Sequence, residues 1–157
     1  MKDSQNKARQ YALKLLGYRG RSAQEMQERL EKRGFPISVV SSTMKYLIGK
    51  GFIDDLVLAE TLKTDALSSR MLSRNGARQY LLRRGIRRDI VDRVFHEDNH
   101  SDFDNARRLV HKRLRVLRGC SEMTAKRRLY NFLLRRGYSS DTIVQVFKDI
   151  AFEEEKS

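Results

Sequence analysis

The residue types that most often carry chemistry in proteins are sparse in this sequence. His96 and His100 stand four residues apart and could share a helix face, but no glutamate completes the HExxH pattern of a zinc site, and Cys120 has no CxxC partner. The acidic run from Asp98 to Asp104 alternates like a calcium loop, yet it lacks the glycine and the closing glutamate of such a loop. We therefore predict no metal and no other cofactor, and interpret the histidines as surface residues and the acidic run as a helix cap.

The sequence also contains no phosphate-binding loop and no serine or cysteine nucleophile beside a plausible base. We predict that the protein is not an enzyme. What the sequence does offer is charge, since 33 Lys and Arg residues against 20 Asp and Glu give a net charge of +13. An excess of this size predicts a polyanionic partner, with nucleic acid as the first expectation.

Two clusters of cations are placed where helix stability does not require them. They fall in or near the first turn of predicted helices, where a positive charge opposes the helix dipole at roughly 0.3–1 kcal/mol each. An anionic partner would favour cations at such helix starts. The clusters are Arg87 and Arg88, and Lys126, Arg127 and Arg128.

A third group of cations lies on the predicted helix from Phe103 to Leu117, opposite its apolar stripe. Residues 105–118 contain no acid, although a helix that stabilises itself with charge usually carries Glu–Lys pairs four residues apart. We predict a contact face here, with a merely solvated face as the alternative. The face consists of Arg107, Arg108, Lys112, Arg115 and Arg118.

A threefold internal repeat organises the chain. Each copy carries Leu-x-x-x-Gly-apolar, and the glycines stand 51 and 52 residues apart. A left-handed glycine that ends a helix, with apolar residues on either side in contact, accounts for the pattern. The adjoining basic pairs lie in the last helical turn and are explained by the helix dipole. The three glycines are Gly34, Gly85 and Gly137.

Apolar residues recur at spacings of three and four, which indicates helices, and each repeat has room for three. Ser22 and Glu25 form a predicted capping box, and Asp54 and Asp55 are predicted to cap the next repeat's first helix. The predicted fold is all-α: three tandem three-helix repeats, at residues 1–52, 53–101 and 102–157, in an elongated, curved array. No apolar stretch approaches the roughly 20 residues that span a bilayer, and no signal peptide is evident. We expect a cytoplasmic monomer without membrane contact.

With these features in order, the sequence resembles the RecX family, which regulates the RecA recombinase. The resemblance rests on the spacing of several weak motifs: Ala8–Leu16, Arg21–Ser22 with Glu25, Gly51–Asp55, Leu81–Ile86 and Phe132–Tyr138. Where the family usually has a glycine-bearing loop before the second repeat's middle helix, this chain has a short segment from Ser73 to Gly76.

The resemblance implies binding in the groove of the RecA–DNA filament and inhibition of the ATPase, strand-exchange and coprotease activities of RecA. It implies no cofactor, and it implies a role in DNA recombination, DNA repair and the SOS response. The partners would be the RecA filament and single- or double-stranded DNA of any sequence. Two alternatives remain open: an autonomous DNA-binding protein of the helix-turn-helix type, and a structural adaptor whose charge serves solubility.

Overall fold

The computed structural model describes residues 2–96 and 100–156, with side chains as far as residue 150, and all regular secondary structure in this part of the chain is helical. The prediction of an all-α fold is confirmed. None of the described helices is long and apolar enough to cross a membrane. In chain order the α-helices are α1 (Lys2–Tyr18), α2 (Ala23–Lys32), α3 (Ile37–Gly49), α4 (Asp55–Thr64), α5 (Arg74–Arg83), α6 (Arg88–Val94), α7 (Asp102–Leu114), α8 (Glu122–Arg135) and α9 (Ser140–Lys156). A π-helical turn, Asp65–Ser69, continues directly from α4.

The middle helix of each repeat ends in a Schellman arrangement. Gly34, Gly85 and Gly137 have φ values of 93°, 82° and 93°, a region that favours glycine. In each case the N–H of the residue after the glycine donates to the carbonyl of a buried leucine five residues earlier. The donor–acceptor pairs are Phe35 with Leu30 at 3.4 Å, Ile86 with Leu81 at 3.1 Å, and Tyr138 with Leu133 at 3.2 Å.

Polar side chains begin the helices. Ser22 and Glu25 form the capping box at the start of α2. Asp54 caps α4, because its Oδ1 accepts hydrogen bonds from the backbone N–H groups of Leu56 at 3.1 Å and Val57 at 3.2 Å. The carboxylate of Asp55 bonds elsewhere, as described below.

The two outer repeats each have an apolar core. In repeat 1 the buried side chains of α1, α2 and α3 meet around Met26, Leu30 and Leu47, all fully buried. In repeat 3 the helices α7, α8 and α9 pack around Leu133 and Tyr138. Burial raises the pKa of the Tyr138 phenol, whose hydroxyl donates to the carbonyl of Met71 at 2.6 Å.

The chain forms two compact units, and the middle repeat is divided between them. One unit comprises Met1–Leu62 with Leu81–His96, and the other comprises Lys63–Tyr80 with Glu97–Ser157. Each unit therefore contains one outer repeat and the part of the middle repeat that packs against it. The repeat boundaries 1–52, 53–101 and 102–157 concern the sequence pattern and stay a prediction.

Both units contain the same set of contacts between successive repeats, which we call the joint. Its centre is a cap glycine packed on the serine that begins the preceding repeat's middle helix. A Cβ added to Gly85 would stand 2.6 Å from Oγ of Ser22, and one added to Gly137 would stand 2.5 Å from Oγ of Ser73. Both serines are fully buried. Carbon and oxygen atoms of a folded protein do not approach so closely, so any residue other than glycine at these positions would displace the buried serine.

An aspartate at the start of the following repeat is the second element of the joint. The carboxylate of Asp55 accepts a 2.9 Å hydrogen bond from the N–H of Ala23, the first residue of α2. Asp102 accepts a 2.8 Å bond in the same way from the N–H of Arg74, the first residue of α5. Each aspartate thus satisfies a helix N–H in the preceding repeat that has no partner within its own helix.

An arginine directly before the cap glycine is the third element. The guanidinium of Arg84 donates a hydrogen bond of 3.0 Å to the carbonyl of Gly20, and it lies 3.2 Å from the carboxylate of Glu25. Arg136 donates to the carbonyl of Arg70. The joint therefore combines a steric contact with charged hydrogen bonds, and it occurs once in each unit.

Candidate nucleic-acid and protein interface

Arg87 and Arg88 lie at the start of α6, as the sequence predicted. Arg87 is the N-cap residue and its side chain makes no capping hydrogen bond. Its guanidinium lies 3.2 Å from the carboxylate of Asp89, and both side chains are mostly exposed. An exposed pair of this kind contributes little to stability. Arg88 is also exposed, so both cations can reach a partner.

The helix predicted from Phe103 to Leu117 ends earlier, at Leu114, so Arg115 is the C-cap residue of α7 and Arg118 lies in the turn beyond it. Four of the five cations predicted on this face are exposed, and Arg107 is paired with an acid of a neighbouring helix. Its Nε lies 2.9 Å from the carboxylate of Asp149 on α9. No sequence pattern indicates this pair, because the acid lies 42 positions further along the chain. The exposed cations form no ion pair with the residues whose side chains the structure describes. They are Arg108, Lys112, Arg115 and Arg118.

The predicted position of Lys126, Arg127 and Arg128 in or near a first helical turn is wrong. Helix α8 begins at Glu122, with the Ser121 side chain as its cap, so the three cations lie in the second turn. The helix dipole acts mainly within the first turn. The expected penalty for these cations is therefore absent, and their case as binding residues depends on exposure alone.

The three cations of α8 differ in their neighbours. Lys126 lies 2.9 Å from the carboxylate of Glu122, one turn earlier, and this ammonium lowers the pKa of the Glu122 carboxyl. Arg128 lies 3.7 Å from the sulfur of Cys120. Arg127 is exposed, and among the described side chains it has no acidic partner.

A cavity of about 590 Å³ brings several predicted residues of repeat 3 together. Its walls come from α7, α8, α9 and the turn between α7 and α8, with apolar side chains such as Leu114 and Phe147. Its charged lining includes Arg115 and Arg118 of that turn and Lys126 of α8. The remaining cations of α7 and α8 do not line it. Arg87 and Arg88 belong to the other compact unit.

The histidines and acids considered for metal binding do not form a site in the described part of the chain. No group of three or more His, Cys, Asp or Glu side chains is placed to hold a metal ion there. His100 is not a surface residue as expected, since its side chain is only 15% exposed and lies 3.4 Å from Asp102. Asp98 and Asn99 of the acidic run lie outside the described residues. Ser101 caps α7 by accepting from the N–H of Asp104.

A basic groove in repeat 1 was missed from the sequence, although that repeat carries 11 basic and 4 acidic residues. The groove has a volume of about 680 Å³ and lies along α1. None of the described residues that line it is acidic. We call it the repeat 1 groove, and the residues that define it are Lys7, Tyr11, Lys14, Tyr18, Arg33 and Phe35. The only signal for it was the spacing of four α1 residues on one helix face.

Two family models match this chain. Residues 8–47 match the model described as "RecX, first three-helix domain", and residues 100–147 match "RecX, third three-helix domain". Together they cover more than half of the sequence. Their limits enclose most of the helices of repeats 1 and 3.

Curated relatives and solved structures agree with these matches. Regulatory protein RecX of Amycolatopsis mediterranei is 31% identical over 144 residues, which span 91% of this chain and 82% of the relative. Regulatory protein RecX of Chlorobium limicola is 28% identical over 149 residues, 92% of each chain. The crystal structure of RecX from Lactobacillus salivarius superposes with a TM-score of 0.74 at 19% identity, covering 97% of this chain and 99% of that one. This structural match shows a shared fold.

Proposed function

The chain belongs to the RecX family of regulatory proteins, and on that premise we propose that it binds in the groove of the RecA–DNA filament and inhibits RecA. The inhibited activities are the ATPase, strand exchange and coprotease activities. The protein acts in the cytoplasm as a monomer, and it uses no cofactor and no catalytic residue of its own.

The observation that supports this proposal most is the set of exposed cations on α7 and in the turn that follows it, Arg108, Lys112, Arg115 and Arg118. Because no described acid neutralises them, they retain their charge for a partner. A filament groove offers both acidic protein side chains and DNA phosphates, and cations bind either. Arg87, Arg88 and Arg127 extend the proposed contact set.

Contacts to DNA in this proposal are made to phosphates and are independent of sequence. Phosphate contacts position a protein without reading bases. Affinity for duplex DNA should then fall with salt by a log–log slope of about −0.9 for each phosphate contact. The same affinity should be found for unrelated sequences of equal length.

The decisive experiment measures DNA-dependent ATP hydrolysis by a bacterial RecA as the protein is added. We expect the rate to fall as the protein approaches stoichiometry with RecA. An unchanged rate at a several-fold excess would contradict the proposal. Tight binding to one duplex sequence without an effect on RecA would instead favour an autonomous helix-turn-helix protein.

A further inference from the structure

The repeat 1 groove lies beside Arg33 and Gly34, which correspond to the arginine and the cap glycine of the joint. In the described chain no preceding repeat packs on them. A Cβ added to Gly34 would meet no atom within 4 Å, whereas Gly85 and Gly137 are packed on serines. Arg33 precedes Gly34 as Arg84 precedes Gly85. Its guanidinium lies over the ring of Tyr11, 4.7 Å from the ring centroid. The surface that packs on a neighbour in repeats 2 and 3 is therefore accessible in repeat 1.

The groove combines aromatic rings with cations. Its floor is Tyr11, partly buried, with its ring centroid 6.4 Å from that of Phe35. At one end stands Tyr18, whose relative exposure is 73%. A tyrosine this exposed at the end of a helix does not serve the core. Its ring is free to stack on a planar group.

The charged residues that the structure describes in the groove are all positive. Lys7 and Lys14 stand two turns apart on α1, and Arg33 approaches from the end of α2. Lys7 has one acidic neighbour, Asp3, at 3.4 Å, but this pair is largely exposed and of little strength. From Lys7 to Tyr18 the helix extends about 16 Å. An extended chain of phosphates can follow the cations along that length.

We propose that the repeat 1 groove binds a single strand of nucleic acid. Tyr18 stacks on an unpaired base, and Lys7 and Lys14 hold the adjacent phosphates. A single strand fits these groups better than a duplex, since only an unpaired base offers its face to an aromatic ring. The site requires no sequence preference, because every base has such a face.

This inference rests on the proposed function only in taking the DNA of the filament as the natural strand. Its test therefore omits RecA. Binding of the full chain to a fluorescein-labelled dT20 oligonucleotide is measured by fluorescence anisotropy over a range of NaCl concentrations. Tyr18→Ala should weaken binding about fivefold to a hundredfold, the range expected for loss of one stacked base. Tyr18→Phe, which keeps the ring, should bind within about twofold of the wild type.

The cations are tested with a charge-matched control. The double variant Lys7→Gln/Lys14→Gln should reduce the magnitude of the salt slope by about 1.4, or about 0.7 for each phosphate contact on a single strand. Lys45 and Lys50 are exposed lysines of the same repeat outside the groove. Lys45→Gln/Lys50→Gln removes the same net charge and should leave the slope unchanged. Equal losses in the two double variants, or wild-type affinity in Tyr18→Ala, would overturn the proposal.

Three further results separate this inference from its alternatives. Displacement of the oligonucleotide by polyglutamate, together with full affinity in Tyr18→Ala, would identify a site for acidic protein and overturn the nucleic-acid assignment. If dT20 binding depends on Tyr18 but RecA ATP hydrolysis is unaffected by the protein, the groove assignment stands and the proposed function fails. If RecA is inhibited but dT20 binding is indifferent to Tyr18, the groove assignment fails alone.

Discussion

Asp55 accepts a hydrogen bond of 2.9 Å from the backbone N–H of Ala23, 32 residues earlier in the chain. The sequence predicted that Asp55 would cap its own helix, but Asp54 has that role and the Asp55 carboxylate caps the helix of the preceding repeat instead. Asp102 and Arg74 have the same relationship in the other compact unit. One acid at the start of a repeat therefore connects it to the repeat before.

Two substitutions of Asp55 should distinguish the contribution of its hydrogen bond to stability from the contribution of its charge. Asp55→Ala leaves the N–H of Ala23 without its acceptor and should lower the free energy of unfolding by about 0.5–2 kcal/mol, the range for loss of a helix N-cap. Asp55→Asn keeps an oxygen acceptor and should lose less than Asp55→Ala. Urea unfolding followed by circular dichroism measures both. Equal losses in the two variants would mean that the charge, and not the acceptor, matters.

The pH dependence of the free energy of unfolding should differ between the wild type and Asp55→Asn, and the burial of Asp55 determines the sign of the difference. Burial raises the pKa of the Asp55 carboxyl above its ordinary value of 3.8. The folded state then takes up this proton at a higher pH than the unfolded state does. As the pH falls through the folded pKa toward 3.8, the wild type should gain stability relative to Asp55→Asn. Unfolding at pH 7 and near pH 4 checks the sign, and a relative loss at low pH would contradict it.

The cap glycines offer a comparison within one molecule. All three have positive φ, so alanine at any of them should lose about 1–2 kcal/mol from backbone strain. At Gly85 and Gly137 the added Cβ also meets a serine Oγ, whereas at Gly34 it meets nothing. Gly85→Ala and Gly137→Ala should therefore lose a further 1–3 kcal/mol or so, as overpacked sites do. Urea unfolding that ranks Gly34→Ala equal to the other two would exclude the steric contact as a source of stability.

The sequence predicted features that depend on local rules and missed those that depend on packing. Leu-x-x-x-Gly-apolar predicts a Schellman cap because the interacting residues lie within six positions. The start of α8 was misplaced, although Ser121 and the acidic Glu122 are a local signal for it. The bond from Arg84 to the carbonyl of Gly20 spans 64 positions, and no local pattern indicates it.

In the candidate site, too, the features that depend on local patterns were predicted and those that depend on packing were missed. The exposure of Arg108 and Lys112 followed from the apolar stripe on the opposite side of α7. The ion pair of Arg107 with Asp149 required the packing of α9. The repeat 1 groove was missed because Tyr11 and Tyr18 share a helix face, which the apolar periodicity of α1 does not distinguish from core.

Arg84 should stabilise the fold, whereas its neighbour Arg83 should not. The Arg84 side chain is only 17% exposed and lies against Glu25 as well as the carbonyl of Gly20. Arg84→Met should lower the free energy of unfolding by about 1.5–3 kcal/mol, as expected for charged hydrogen bonds. Arg83 is exposed, and Arg83→Met should change the free energy of unfolding by no more than about 0.5 kcal/mol. The comparison is made by urea unfolding at one salt concentration. Similar losses would mean that the joint does not depend on this arginine.

Replacing the exposed arginines of the candidate interface should weaken inhibition of RecA without unfolding the protein. The quadruple variant changes Arg87, Arg88, Arg127 and Arg128 to Gln, and no described ion pair other than the exposed contact to Asp89 is lost. If two or more of these residues contact phosphate or filament carboxylates, the concentration for half-inhibition of RecA ATP hydrolysis should rise about tenfold or more.

The control for this variant removes the same charge from the ends of middle helices, where the dipole accounts for the cations. It changes Arg29, Lys32, Arg83 and Arg135 to Gln, all of them exposed residues in last helical turns. Its half-inhibition should stay within about threefold of the wild type, because screened charges outside the contact act weakly. Parallel loss in both variants would indicate that total charge, rather than these four arginines, drives binding. Unchanged inhibition in both would assign the charge to solubility.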